Sequence, residues 1–154
     1  MKFLIQRVRE ASVVADGSET GSIGQGFLVF IGVSDTDTEQ TADKMIKKLL
    51  GLRIFADDDG KTNLSVNDVA GDLLLVSQFT LYADCRKGNR PSFTDAGSPA
   101  QAQELYEYII TTCRRELGDD ERVRTGIFGA DMKVSLVNDG PFTIMLDSVQ
   151  LGIE

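Results

Sequence analysis

Gly71-Asp72-Leu73-Leu74-Leu75-Val76-Ser77-Gln78-Phe79-Thr80-Leu81-Tyr82 begins as sheet core and then turns polar without an intervening turn signal. The apolar run from Leu73 to Val76 suits a strand buried on both faces, and such strands belong to sheets covered by other layers. Ser77, Gln78 and Thr80 follow directly, and such side chains cost free energy when buried unless something bonds to them. Either the fold or a ligand must satisfy them, so this strand both sets the fold class and marks a site. If period-two geometry continues, Gln78 and Thr80 share one face, while Ser77 and Phe79 share the other.

Working outward, residues 2 to 14 read as a strand, with Asp16-Gly17 as a hairpin turn into a second one. Gly24-Gln25-Gly26 precedes Phe27-Leu28-Val29-Phe30-Ile31, another short run suited to a buried strand. Thr36-Asp37-Thr38-Glu39 has the form of a capping box, and Ala42, Met45, Ile46, Leu49 and Leu50 recur at helical spacing over about four turns. Arg53-Ile54-Phe55 is a short strand before Asp57-Asp58-Asp59-Gly60. With Gly60 in the glycine place of a calcium loop, Phe55 and Val66 would fall at ligand positions, so this quartet is an acidic hairpin turn and no metal is assigned. Ser98-Pro99-Ala100-Gln101 caps a second helix that carries Ala102, Leu105, Tyr106, Ile109, Ile110 and Cys113 on its core face and stops at Gly118. Lys133 to Val137 and Phe142 to Leu146 are two further strands. The order predicts one α/β or α+β domain over residues 1–154, its two main helices packed on a mixed, largely antiparallel or barrel-like sheet.

Composition excludes more than it offers. The chain has 154 residues, 42% of them hydrophobic and 26% charged, enough for one compact core and too few for two ordinary domains. It contains no histidine, so neither Ser-His-Asp nor Cys-His chemistry is available, and histidine-ligated zinc is excluded. A base near neutral pH must then be a shifted carboxylate or lysine, a backbone group, water, or something the substrate brings. Cys85 and Cys113 have no CxxC partner, and two reduced thiols are expected. Neither a signal peptide nor an apolar span of membrane length is visible, so the expected location is cytoplasmic with no membrane contact. GxGxxG and the Walker pattern are missing, and no cofactor is expected. The formal net charge of -8 argues against nucleic acid in general. Its distribution is uneven, however, since Arg86-Lys87-Gly88-Asn89-Arg90 puts three cations into five residues just after the polar strand. Lys47-Lys48 and Arg114-Arg115, on helices, read as solvated faces.

Asn138-Asp139-Gly140-Pro141 interrupts the last apolar ribbon. Its plain reading is a turn, as each of these residues favours one. The other reading is a rigid backbone device, because a Gly-Pro bond is cis at modest cost and would aim consecutive carbonyls where no ordinary strand does.

Two blocks resemble one family closely. Ser77-Gln78-Phe79-Thr80-Leu81 is similar to the SQFTL motif of the D-aminoacyl-tRNA deacylases, and Asn138-Asp139-Gly140-Pro141-Phe142-Thr143 resembles their NxGPVT motif, with Phe142 in place of the usual valine. Ile5-Gln6-Arg7-Val8, Asn63-Leu64-Ser65, Arg86 to Phe93 and Gly126 to Met132 extend the resemblance nearly end to end. It implies a homodimer that hydrolyses the ester joining a D-amino acid to the 3′ end of tRNA. It further implies a cis Gly140-Pro141 peptide that crosses into the other subunit's pocket, where two carbonyl oxygens reject an L side chain; glycyl-tRNA would pass such a filter. By the same resemblance Arg7 and Gln78 brace the Gly-Pro segment with Asn138 beside it, and Phe128, Ala130 and Met132 line the adenosine end of the pocket. Arg86, Lys87 and Arg90 would meet the tRNA.

The residues themselves suggest that the Phe79 and Thr80 amides, freed where pairing ends, form an oxyanion hole. Thr80 has a nucleophile's hydroxyl but nothing obvious to activate it, so it ranks as a positioning group. The ribose 2′-hydroxyl next to the ester is the assisting group that the histidine-free chain lacks. Two rivals stand beside this reading. One is a dimeric nucleic-acid-binding module without turnover, and the other is a hydrolase of small esters or amides, which the lack of a nucleophile-base pair disfavours.

Overall fold

The computed structural model describes residues 1–153. In chain order these form strands β1 (Lys2–Ala15), β2 (Ser18–Ile23) and β3 (Gly26–Gly32), helix α1 (Glu39–Leu50), the short hairpin β4 (Phe55–Ala56) and β5 (Thr62–Leu64), and strand β6 (Asp72–Ser77). Helix α2 (Pro99–Leu117) and strands β7 (Val123–Thr125) and β8 (Met132–Asp147) follow, with 3-10 turns at Phe79–Tyr82 and Asp120–Arg122. The class is the α+β one expected, with a mixed sheet in the order β2, β1, β3, β6, β7 and with β8 added along β1. Antiparallel pairing joins β1 to β2, β3 and β8, whereas β3, β6 and β7 run parallel. The sheet curls until β2 nears β7. A Cβ on Gly21 would lie 2.8 Å from the Thr125 carbonyl oxygen, so only a glycine lets the barrel come this close to closing.

The continuous apolar runs of β3 and β6 exist because both faces of these strands are buried. Phe27, Val29, Ile31, Leu73 and Leu75 join Met45, Leu49 and Ile109 in the core under the helices. Leu28, Leu74 and Val76 face the other way into a second core with Val8 and Val13. Each such side chain contributes about 1.5–3 kcal/mol through the apolar surface it withdraws from water.

The structure corrects the sequence reading at four places. Strand β6 stops at Ser77, opposite Ile31, and the chain turns into a 3-10 helix instead of running on as a strand through Thr80. Its partner β3 ends at Gly32, so Gln78 N–H makes the last bond, to the Ile31 carbonyl at 2.7 Å, and no ladder remains to hold the next residues extended. Helix α1 is capped by Thr38 and Thr41 reciprocally, not by Thr36 and Glu39, because the chain enters the helix two residues later. The Asp37 carboxylate between them is buried against the Met1 ammonium at 2.6 Å and accepts the Ser34 N–H at 2.7 Å. At α2 the Ser98 side chain caps nothing; Asp35 Oδ1 accepts the Ser98 N–H at 2.9 Å, while Gln101 Nε2 reaches the Asp35 and Asp37 carbonyls. Lastly, Asn138 to Pro141 is not a turn between two strands. β8 is one strand from which residues 139–142 bulge outward, facing Arg7 alone between the pairs Gln6–Thr143 and Val8–Asn138.

Other expectations hold. Asp16 and Gly17, with φ of 49° and 84°, make the tight turn between β1 and β2. The acidic hairpin folds around Asp57, whose carboxylate accepts the Asp59 and Lys61 amides at 3.0 and 2.9 Å. Cys113 is buried, which pushes its thiol up to about 12, and Cys85 is exposed and free. No described helix is long and apolar enough to cross a membrane.

The parallel pairing of β3 with β6 depends on close backbone approach at Gly26, where a Cβ would stand 1.9 Å from the Asp72 carbonyl oxygen. Gly26→Ala is therefore expected to lower stability in urea unfolding by about 2–3 kcal/mol, at the upper end of overpacking. Gly24→Ala, which meets nothing within 4 Å, should change it by less than about 0.5 kcal/mol.

Candidate active site

Where β6 leaves the sheet it opens into a cleft of about 480 Å³, bounded by three segments. Val76, Ser77, Gln78 and Phe79 form one wall, and the segment leading into α2 (Ala96, Gly97, then Pro99) with Tyr106 forms a second. Phe128, Ala130 and Met132, the triplet singled out from sequence, form the third. The cleft lies at the carboxyl end of parallel strands, where strand ends and helix starts leave backbone groups uncommitted.

Of the polar residues in the opening stretch, Ser77 and Gln78 line this cleft, and Thr80 stands outside its lining, exposed, accepting a hydrogen bond from Gln78 Nε2. The first bond of the 3-10 turn runs from Leu81 N–H to the Gln78 carbonyl, so the Phe79 and Thr80 amides precede it and serve no intrahelical acceptor. The sequence reading found these amides for a different reason, expecting a strand end and not a helical first turn.

The second wall was missed by sequence reasoning. Tyr106 was assigned to the core, and it is buried, but it also faces the cleft. Its hydroxyl donates to the Leu75 carbonyl at 2.8 Å, which also accepts the Gly126 N–H at 3.2 Å, and its ring packs near Phe128. One carbonyl thus ties β6, α2 and the segment carrying Phe128 together. The Gly97 N–H donates to the Val33 carbonyl at 2.8 Å, and Asp35 holds Ser98, so residues 33–37 fix the start of α2. No local signal links segments some sixty positions apart.

Tyr106 is the only titratable group among the described lining residues, and burial holds its phenol above the ordinary range. The described lining residues therefore offer no carboxylate, ammonium or thiolate to act as a base. The cleft can orient a ligand and offer amide donors to developing negative charge.

A second group of residues named from sequence lies elsewhere. Arg7, opposite the β8 bulge, donates through Nε to the Asp139 carbonyl at 3.1 Å and pairs with the Asp139 carboxylate at 3.2 Å. Its Nη1 donates to the Ile54 carbonyl, and its guanidinium lies 4.3 Å from the centre of the Phe142 ring. The Asn138 amide spans the base of the bulge, donating to the Arg7 and Phe142 carbonyls at 3.0 and 3.1 Å. Arg7 and Asn138 thus brace the Gly140-Pro141 segment, whose peptide bond is cis. Within one chain the Gln78 side-chain amide donates to Thr80. Gly140 and Pro141 are absent from the lining of their own chain's cleft. Phe142, the departure from the family pattern, serves as a platform under Arg7. A signal for the bulge was present in β1: apolar residues at 3 and 5 resume at 8, so the alternation breaks at Arg7.

The basic loop belongs to neither group, though Phe93 at its end packs on the cleft-lining Phe79. Arg86 forms a two-pronged bond with Asp84 at 2.8 and 2.7 Å, which holds the Asp84 carboxyl down at about 2. Lys87 and Arg90 are exposed, and neither has an ion-pair partner among the described residues.

Comparison with known proteins gives a concordant result. A family model described as D-Tyr-tRNA(Tyr) deacylase matches residues 4–147. The D-aminoacyl-tRNA deacylase of Cellvibrio japonicus is 56% identical over 147 residues, covering 96% of this chain and 99% of that protein. That of Thermosipho melanesiensis is 51% identical over 148 residues, covering 96% and 97%. Among solved structures, one named c-Myc DNA unwinding element binding protein superposes with a TM-score of 0.91 at 41% identity, covering 96% of this chain and 99% of its own. A probable eukaryotic D-amino acid tRNA deacylase, 21% identical with a TM-score of 0.82, shares the fold over 94% of this chain and 97% of its own.

Arg7→Ala is expected to lower stability by about 2 kcal/mol, as it leaves two carbonyls and a carboxylate without their donor. Hydrogen exchange should quicken at the amides of Gly140 and Phe142 before the rest of the sheet. Arg7→Lys should restore only part of the loss, since an ammonium cannot reproduce the planar fork.

Proposed function

Because the chain belongs to the D-Tyr-tRNA(Tyr) deacylase family, we propose that it hydrolyses the ester of D-aminoacyl-tRNA, releasing the D-amino acid and tRNA with a free 3′ end. The observation that carries this reading is the cleft and its edge: uncommitted amides at Phe79, which lines it, and at the next residue, Thr80, an apolar wall at Phe128 to Met132, and no base among the described lining residues. An aminoacyl ester is reactive enough to need little more. Water adds to the ester carbonyl, the two amides receive the oxyanion, and the neighbouring ribose 2′-hydroxyl orients the water. The 3′-oxygen leaves with a proton. Ser77 and Gln78 position the substrate, and Thr80 does so through Gln78, without acting as a nucleophile.

Selection in this proposal comes from a second copy of the chain. The carbonyl oxygens of Gly140 and Pro141, braced by Arg7 and Asn138, enter the partner's cleft and exclude an L side chain while ignoring what a D residue carries. Glycine, with no side chain to exclude, passes, so glycyl-tRNA is a further substrate. Two facts support a homodimer here. The Gly-Pro segment lies away from its own cleft, and β8, the strand that carries it, pairs on one edge only with Val137 and Met145 exposed at 46% and 43%. A long uncovered edge of this kind is a surface that proteins normally cover. Arg86, Lys87 and Arg90 meet the tRNA backbone, the latter two with free charges, and the enzyme works in the cytoplasm where tRNA is charged.

A second reading has specific support. Lys87 and Arg90 would suit a nucleic-acid-binding module without turnover, and one structural neighbour at 41% identity is named for binding a DNA element.

Purified protein is expected to deacylate D-tyrosyl-tRNA and leave L-tyrosyl-tRNA intact. Thr80→Ala should retain activity within about tenfold, whereas loss of a true nucleophile costs several orders of magnitude. Binding of both tRNAs with hydrolysis of neither would replace the deacylase with the binding module.

A further inference from the structure

The mouth of the cleft carries an aromatic pair that the hydrolytic reading leaves unused. Phe79 lines the cleft but is 56% exposed, and its ring packs edge to face on Phe93 with centroids 5.1 Å apart and planes at 70°. Phe93 is itself only partly covered. An edge-to-face pair leaves a ring face open to a third aromatic partner. The pair is also held in place. Asp84 and Ser92 exchange both backbone bonds, at 2.7 and 2.9 Å, clasping the base of the basic loop immediately before Phe93. Between the two rings in sequence lie Lys87 and Arg90, the exposed cations without partners.

Ring faces at the two ends of a loop that also carries exposed cations suit a single strand of nucleic acid, whose bases stack on the rings while its phosphates meet the charges. The size of the cleft decides which base. A volume of about 480 Å³ is in the range of a site for one small ligand, such as the aminoacylated terminal nucleoside. With that nucleoside in the cleft, the next nucleotide is brought to the rim, where the exposed Phe79 stands.

We propose that Phe79 and Phe93 form a stacking platform for the base of the nucleotide that precedes the terminal adenosine of the RNA substrate. This rests on the deacylase reading and adds to it a binding subsite outside the cleft. Phe93 is the residue to test, since it does not line the cleft and meets Phe79 through its ring.

The experiment compares kcat/KM for two D-tyrosyl esters, one of adenosine and one of cytidylyl-(3′,5′)-adenosine, in wild type, Phe93→Ala and Phe93→Trp, with thermal melts to verify folding. Stacking of one base predicts that wild type favours the dinucleotide by roughly 5- to 150-fold, mostly in KM. Phe93→Ala should lose most of that preference while cleaving the adenosine ester within about twofold of wild type, and Phe93→Trp should keep it. No preference in wild type, or a preference that survives Phe93→Ala, overturns the platform while the deacylase stands. If wild type cleaves neither these esters nor D-tyrosyl-tRNA, the deacylase reading itself fails and the subsite with it.

Discussion

The parallel pairing of β3 with β6 is the constraint from which the site follows. Gly26 lets the two strands meet at the start, and both faces are buried along their length, so nothing polar fits until the ladder ends at Ile31 and Ser77. There the chain must turn, and a 3-10 helix is the short solution. Its first two amides, Phe79 and Thr80, have no helical acceptor, and they lie beside the cleft that the strand ends open. A core that cannot admit polar groups thus delivers a row of them to one edge.

The lack of a base among the described residues of this cleft agrees with the absence of histidine from the chain. A pocket of this kind lowers a barrier by placement and by fixed dipoles, which suits a substrate already activated and supplying a hydroxyl of its own. Rigidity then matters more than reactive side chains. It comes from remote residues: the buried Met1 ammonium and Asp37 pair, Asp35 under the start of α2, and Tyr106 on the Leu75 carbonyl. The charge of -8 is likewise a poor guide to what binds, because Lys87 and Arg90 present free cations on one exposed loop.

What sequence could reveal divides along the range of the interactions. The buried strands, both helices, the Asp16-Gly17 turn and the acidic hairpin were legible, since each follows from spacing over a few residues. Ser77, Gln78 and Phe79 stood out as the polar end of a buried strand, whereas Phe128, Ala130 and Met132 came only through the family resemblance; all six line one cleft. The α1 cap was misplaced by two residues, and at α2 Ser98 holds the cap position without a side-chain bond while Gln101 reaches the distant Asp35 and Asp37 carbonyls. The conformation of residues 78–82 depended on where a different strand ends, which no local pattern states. The bulge at 139–142 was half visible, as a turn-like quartet in β8 and as a break in alternation at Arg7. Only pairing of the two strands joins those halves.

The central claim is that one chain supplies the cleft and a second supplies the Gly140-Pro141 reader. A mixing experiment tests it most directly. One variant, Ala130→Trp, fills the cleft and leaves the reader intact; another, with residues 139–142 replaced by a short glycine link, keeps the cleft without a reader. Alone, the first should cleave neither enantiomer of tyrosyl-tRNA and the second should cleave both. After the two are unfolded and refolded together, the account predicts that D cleavage persists while L cleavage falls in proportion to the share of mixed dimers. An unchanged D-to-L ratio across all mixing ratios would show that the reader serves its own chain, and would contradict the account.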